Sequence, residues 1–336
     1  MRYAGPLAFF LATACAPPNS PIDPTYGYTL ERLVGVQSPP PPSDFAAFWE
    51  QRYVQALAIV PNLTIGRALR IDSFEVREVH FDGIGGQRLG GYLALPTGKP
   101  IDSAVLYVHG YGGCSEPTMA DLTKNTPTTA ALFTCVRGFG LSADPNIPSD
   151  ANEHVILGID APETYQLGFS VADVWSSASA LLAAAPTAKA HLYLDGTSFG
   201  GGIGAMALAW DKRFAKAYLD VPTFGDQQLR MQLPTLGSGH AVQQYLAKSV
   251  HPEKVWRTLS YFDAASSARF ITTPTMFTCA LSDAMVAPPG QFAVYNTAGG
   301  TKKLNVMSAG HAQIPDAETQ HLTEIRRRWL FAQPTL

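Results

Sequence analysis

His191-Leu-Tyr-Leu-Asp-Gly-Thr-Ser-Phe-Gly-Gly-Gly202 decides the fold of this chain. Residues 191–194 form an apolar run of the kind that makes a buried strand. Gly196-Thr-Ser198-Phe-Gly200 comes next, and then Gly201-Gly-Ile-Gly-Ala-Met-Ala-Leu-Ala209, whose small apolar residues predict a helix. Strand, Gly-x-Ser-x-Gly and helix in that order make the setting of a nucleophile elbow, a sharp strained turn that lifts a serine hydroxyl out of a sheet. Side chains at 196, 200 and 201 would collide with neighbouring backbone, so glycine is needed there. The Ser198 hydroxyl then sits at a helix N-terminus, where free N–H groups favour negative charge.

The rest of the composition suits such a fold. Of 336 residues, 46% are hydrophobic and 15% charged, enough for a large core and too apolar for disorder. A net charge of −3, with Arg326-Arg327-Arg328 as the basic run, argues against a nucleic-acid partner. Those arginines are expected to complement the dipole of a C-terminal helix. No stretch approaches the roughly 18–20 apolar residues of a membrane span. Cys15, Cys114, Cys135 and Cys279 contain no Cys-x-x-Cys pair, which argues against zinc. The last three lie in or just after apolar runs and read as small buried hydrophobes, although the sequence leaves a disulfide among them open.

Residues 1–24 differ in composition from the rest of the chain. Arg2 is the one charge before Asp23, residues 7–14 are apolar, and Ala12-Thr-Ala14 resembles a cleavage site. Ala14-Cys15 also resembles a lipoprotein junction. Two readings stay open: an export or lipidation signal, or an unstructured extension of a cytoplasmic protein.

The chain then alternates strand and helix. Residues 26–36 have a weak helical pattern, Pro39 to Pro42 interrupt it, and Ser43 caps a helix with Phe45, Phe48 and Trp49 on one packing face. Strands are expected at 74–81 and 88–95 around a hairpin loop at 83–87, and at 104–109 and 131–136. A helix is expected at 163–185, then the elbow strand and helix, and another strand over 214–219. Residues 222–270 break the alternation and read as an excursion over the sheet, before strands at 275–281 and 303–307 and helices at 290–296 and 316–331. The expected organisation is a signal-like or disordered segment, 1–24, and one α/β domain, 25–336, with an N-terminal helical extension at 25–70. Its fold class is a mostly parallel central sheet flanked by helices on both faces.

Serine is a poor nucleophile without a base and a group to orient that base. On an α/β-hydrolase scaffold the order is serine, acid, histidine. After Ser198 come His240, His251, His311 and His321. His240 and His251 fall in the excursion and His321 inside the last helix. His311 comes after a strand and Gly310, so it belongs to a loop at a strand's carboxyl end. Asp283 also follows a strand at once and precedes His311 by one strand–helix–strand unit. Asp220, at another strand end, is the second choice of acid. An oxyanion needs two donors. The Phe199 backbone N–H is one, and the Tyr111 N–H in His109-Gly110-Tyr111-Gly112-Gly113 is the other, with His109 holding the loop.

These motifs resemble the carbohydrate esterases that include acetylxylan esterase and cephalosporin C deacetylase. The resemblance runs from about Leu30 to the C-terminus. It is carried by Pro42-Ser-Asp-Phe-Ala-Ala-Phe-Trp49, His109-Gly-Tyr-x-Gly113, Arg137-Gly-Phe-Gly-Leu-Ser142 and Gly196-x-Ser-x-Gly-Gly-Gly202. Further along it is carried by Arg257-Thr-Leu-Ser-Tyr-Phe-Asp263, by Asp283 with Pro288-Pro289, and by Gly310-His311. It implies Ser198, Asp283 and His311 as a catalytic triad, the Tyr111 and Phe199 amides as the oxyanion hole, and deacetylation of sugar esters without metal or cofactor. It also implies a homo-oligomer, a dimer of trimers. Phe139 and Phe199 stand where the family has glutamine, which predicts a more apolar site, and Ala312 stands where it has glutamate. The rival readings are a general carboxylesterase, a peptidase or amidase on the same scaffold, and a non-catalytic binding protein. A peptidase of this type would need an N-terminal propeller or a recognition site for peptide termini, and the roughly 70 residues before the first strand are too few for a propeller.

Overall fold

The computed structural model describes residues 22–332, so the signal-like residues 1–21, Cys15 among them, lie outside the described part. Nine strands form one sheet: β1 Thr64–Ile71, β2 Phe74–Asp82, β3 Arg88–Pro96, β4 Ser103–Val108, β5 Thr129–Cys135, β6 Leu192–Thr197, β7 Phe214–Asp220, β8 Thr275–Ala280 and β9 Lys302–Met307. Their order across the sheet is β1-β2-β3-β5-β4-β6-β7-β8-β9. The first three pair antiparallel, β3 to β5 included, and β5 through β9 run parallel. The chain winds one way from β4 to β5 and the other way to β6. The carboxyl ends of β4 and β6 therefore flank the crevice where open α/β sheets place their ligands.

The buried strands read correctly because they are covered on both faces. Ala104, Val105, Leu106 and Val108 of β4 are all in the core. On one face pack the helices Phe45–Leu57, Gln166–Ala184, Phe199–Leu208 and Pro288–Thr297; on the other lies Asp316–Phe331. The helix Gln166–Ala184 is long and apolar enough in composition to cross a bilayer, contrary to the expectation that no stretch is. Most of it is buried in the protein, and Trp175 donates to Ala207 O at 3.1 Å, locking it onto the elbow helix. Trp49 is a packing residue, fully buried with its indole N–H on Tyr261 O at 2.9 Å.

Two expectations need correction. The stretch 25–70 is not wholly helical: its helices are Leu30–Leu33 and Phe45–Leu57, and β1 begins at Thr64. β1 is an edge strand with mostly exposed side chains, so no apolar alternation marks it, and pairing with β2 is what defines it. The three arginines near the C-terminus are not alike. Arg327 and Arg328 pair with Glu324 on the surface. Arg326 instead points under the sheet to the fully buried Asp195 carboxylate, over the rings of Tyr107 and Tyr218.

A second buried ion pair fixes the end of β5. Arg137 Nη2 meets Asp173 Oδ1 at 2.6 Å, Nε meets Oδ2 at 2.9 Å, and the Arg137 backbone N–H adds a third donor at 3.0 Å. Neither side chain exceeds 5% exposure. Removing one partner strands the other charge in the core, which costs about 3–5 kcal/mol. Asp173→Ala is therefore expected to lower unfolding free energy by about that much, read from urea midpoints at unchanged m-value.

Candidate active site

The loops after β4, β5, β6, β7, β8 and β9 meet at the carboxyl edge of the parallel strands. Ser198 follows β6 directly and has φ +56°, the strained geometry of an elbow. The turn is held by Ser198 N–H to Asp220 O at 2.8 Å, and by Thr223 N–H to Ser198 O at 3.2 Å. Its glycines are needed for space: a Cβ on Gly200 would overlap Val108 O, and one on Gly196 would overlap Gly200 O. Ser198 is partly exposed, whereas the helix it opens, Phe199–Leu208, is buried along its whole length.

The side chains that the sequence singled out are joined in a line. Ser198 Oγ lies 2.8 Å from His311 Nε2, and His311 Nδ1 lies 2.8 Å from Asp283 Oδ2. With the carboxylate at Nδ1, that nitrogen carries the proton, and Nε2 is left to accept from the serine hydroxyl. Asp283 is almost wholly buried. Its Oδ1 accepts from Met285 N–H at 2.9 Å and Val286 N–H at 3.0 Å. Burial alone would lower the His311 pKa, but the hydrogen bond and charge of Asp283, with Asp220 further off, outweigh it and leave the imidazole above its ordinary value.

Several supports were not visible in the sequence. Gln291, fully buried, donates to Asp283 Oδ2 at 3.0 Å and to Val286 O at 2.6 Å, and accepts from Ala280 N–H at 2.8 Å. Pro24 O accepts from Asp283 N–H at 2.8 Å, so the start of the described chain reaches the acid loop. The excursion reaches it as well, through Thr235 Oγ1 to Met285 O at 3.1 Å and Leu236 N–H to Ala284 O at 3.0 Å. Pro24 and Thr235 are distant in sequence from the acid loop, and Gln291, eight residues from Asp283, is of a common type, so no motif announces them. Gly310 is explained by space, since a Cβ there would overlap the Asp283 carboxylate.

The other candidates fall elsewhere. Asp220 ends β7, where burial raises its pKa to about 6, and its carbonyl holds the Ser198 turn while Asp283 takes His311 Nδ1. His240 bonds Gln244, His251 lies by Glu253, and His321 is exposed on the last helix. Among the described residues no three His, Cys, Asp or Glu side chains gather into a group that could hold a metal.

The loop after β4 lies against the serine. A Cβ on Gly110 would stand 3.3 Å from Ser198 Cβ. His109 donates from Nδ1 to Gly110 O at 2.7 Å and accepts the Val136 N–H at Nε2, 3.1 Å away. Burial pushes its pKa down to about 4, so it is a neutral ring that holds the loop. The Tyr111 ring stacks on Phe199 at 4.2 Å, and His109, Phe139 and His154 complete an aromatic nest. Phe139 and Phe199 are buried beneath the loop, so the exchange of glutamine for phenylalanine makes the support apolar rather than the open surface. Cys114 and Cys135 are not free hydrophobes but form a disulfide, while Cys279 is free and buried as expected.

Comparison with known proteins identifies the family and the fold. The family model for acetyl xylan esterase matches residues 29–329. An acetyl xylan esterase from Paenibacillus sp. R4 superposes with a TM-score of 0.80 at 23% identity, over 89% of this chain and 99% of that one. Acetyl xylan esterase 1 from Thermoanaerobacterium sp. JW/SL YS485 gives 0.79 at 21%, over 91% and 99%. An acylaminoacyl peptidase from Pyrococcus horikoshii gives 0.58 at 13%, over 80% of this chain but 44% of its own. At these identities the superpositions carry the fold, which is that of the α/β-hydrolases.

Proposed function

This chain belongs to the acetyl xylan esterase family and is a carboxylic ester hydrolase, and from that premise we propose that Ser198, His311 and Asp283 remove short acyl groups, chiefly acetyl, from sugar alcohols by way of an acyl-enzyme. Ser198 Oγ attacks the ester carbonyl as its proton passes to His311 Nε2. The oxyanion is met by the backbone N–H groups of Phe199, first residue of its helix, and of Tyr111. His311 then protonates the departing alcohol. A water molecule enters, gives its proton to His311 and attacks the acyl-serine; the proton returns to Ser198 Oγ as the acid leaves. Asp283 orients the imidazole and offsets its charge while it is protonated.

The observation that carries this reading is the line of 2.8 Å contacts from Ser198 through His311 to Asp283 at a strained elbow. Four donors on the Asp283 carboxylate, two backbone and two side-chain, support its role as a fixed orienting group. The test is hydrolysis of p-nitrophenyl esters from acetate to octanoate, and then of acetylated xylo-oligosaccharides. Acetate is expected to give the highest kcat/KM. A maximum at longer chains would make the protein a general carboxylesterase, and release of acetate from no sugar ester would remove the carbohydrate assignment. Assembly as a homo-oligomer belongs to the same reading, and light scattering on the purified protein tests it.

A further inference from the structure

We infer that the Cys114–Cys135 disulfide sets the working position of the loop that carries the Tyr111 N–H, and so makes turnover depend on the oxidation of that bond. The inference rests on the proposed role of Tyr111 as an oxyanion donor. Residues 110–114 read Gly-Tyr-Gly-Gly-Cys, and three glycines in five leave the backbone with little preference of its own. Gly113 sits at φ +84°, where other residues are strained. One internal bond, Gly113 N–H to Gly110 O at 3.0 Å, closes the turn around Tyr111, and the ties at its two ends set where that turn lies against Ser198.

Both ties go to the same place. Upstream, His109 accepts the Val136 N–H at 3.1 Å. Downstream, Cys114 is bonded to Cys135, the last residue of β5. Two consecutive residues of β5 and its exit therefore fasten the two ends of the Tyr111 segment. The loop after β5 is shaped around the bond: Gly140 has φ +48°, and a side chain there would strike Cys114 Sγ and crowd Cys135 Sγ at 3.1 Å.

The two sulfurs differ in access. Cys135 is buried, whereas Cys114 is half-buried and borders a cavity of about 220 Å³ that His109, Thr197 and Arg326 also line. A thiolate of a reducing dithiol can attack Cys114 Sγ. The S–S bond breaks, Cys135 takes the electron pair and then a proton, and the second thiolate of the reductant displaces Cys114. The products are two protein thiols and one cyclic disulfide of the reductant. The Tyr111 segment then keeps the His109 tie and the ring stack on Phe199, but not its covalent end. Losing an oxyanion donor outright costs about 10²–10³-fold in kcat. Loosening one costs part of that, so kcat is expected to fall about 10-fold with KM within about twofold of its starting value.

The experiment compares air-oxidised enzyme, enzyme reduced with dithiothreitol, and the double variant Cys114→Ala, Cys135→Ala, all on p-nitrophenyl acetate. Circular dichroism sets a temperature at which each form is folded. The reduced enzyme and the double variant are expected to share the lower kcat at nearly constant KM. Reoxidation should restore the wild type, and dithiothreitol should not affect the double variant. A folded reduced enzyme with undiminished kcat would overturn the proposal, as would a loss confined to KM. Unfolding of both altered forms would assign the bond to stability alone and overturn it as well. Oxidised enzyme without Ser198-dependent activity would overturn the proposed function and this inference together; Ser198-dependent activity that ignores reduction overturns only the latter.

Discussion

Ser198→Ala is expected to lower kcat on p-nitrophenyl acetate by about 10⁴- to 10⁶-fold while leaving KM little changed. In the proposed mechanism the variant removes the atom that becomes covalently bonded to the acyl group, and it removes no hydrogen bond of the turn's backbone. The turn is fixed by backbone contacts, Ser198 N–H to Asp220 O and Thr223 N–H to Ser198 O, which alanine keeps. The same positive φ is demanded of either residue, so thermal unfolding should be nearly unaffected. The residual rate reports what the backbone donors and binding contribute alone. A variant that retained most of its activity would make the 2.8 Å approach of His311 to Ser198 a structural contact rather than a catalytic one.

Asp283→Asn should cost about 10³- to 10⁴-fold in kcat, and its pH profile identifies the reason. The Met285 and Val286 N–H groups both point at Oδ1, so the asparagine oxygen belongs there. The amide NH₂ then faces His311 Nδ1 and the Gln291 donor. A donor at Nδ1 makes that nitrogen an acceptor and moves the ring proton to Nε2, where it opposes Ser198. The base works only when neutral, so kcat/KM falls as pH drops through the His311 pKa. In the wild type Asp283 outweighs the effect of burial and holds that pKa above the usual histidine value. Without the carboxylate, burial dominates and the acid limb should move to lower pH. A limb that stays in place would mean that another group sets it, with Asp220 as the first to examine.

How much of this is legible in the sequence depends on where the information lies. Ser198, Asp283 and His311 each come within a few residues of a strand's end, and apolar strands announce themselves. Glycines at 196, 200 and 310 mark close backbone approaches that any other residue would block. The last helix has the bounds expected of it, Asp316–Phe331, because its charges and apolar residues alternate clearly. β1 escapes a sequence reading because an exposed edge strand has no buried face to pattern. Arg326 misleads because its neighbours Arg327 and Arg328 give it a surface context, while its partner Asp195 lies in the elbow strand. Gln291, Pro24 and Thr235 support the acid loop through contacts that only the folded chain brings together. Spacing alone does not choose the Cys114–Cys135 pairing from three candidate cysteines.

Ser198 carries the acyl group in this mechanism, and covalent capture tests that most directly. The enzyme would be treated with p-nitrophenyl diethyl phosphate, digested, and its peptides mapped by mass spectrometry. The expected result is one diethylphosphoryl group on Ser198, formed in step with loss of ester hydrolysis and absent from Ser198→Ala and His311→Ala. Label on a different residue, or full hydrolysis by an enzyme whose Ser198 is quantitatively modified, would contradict it.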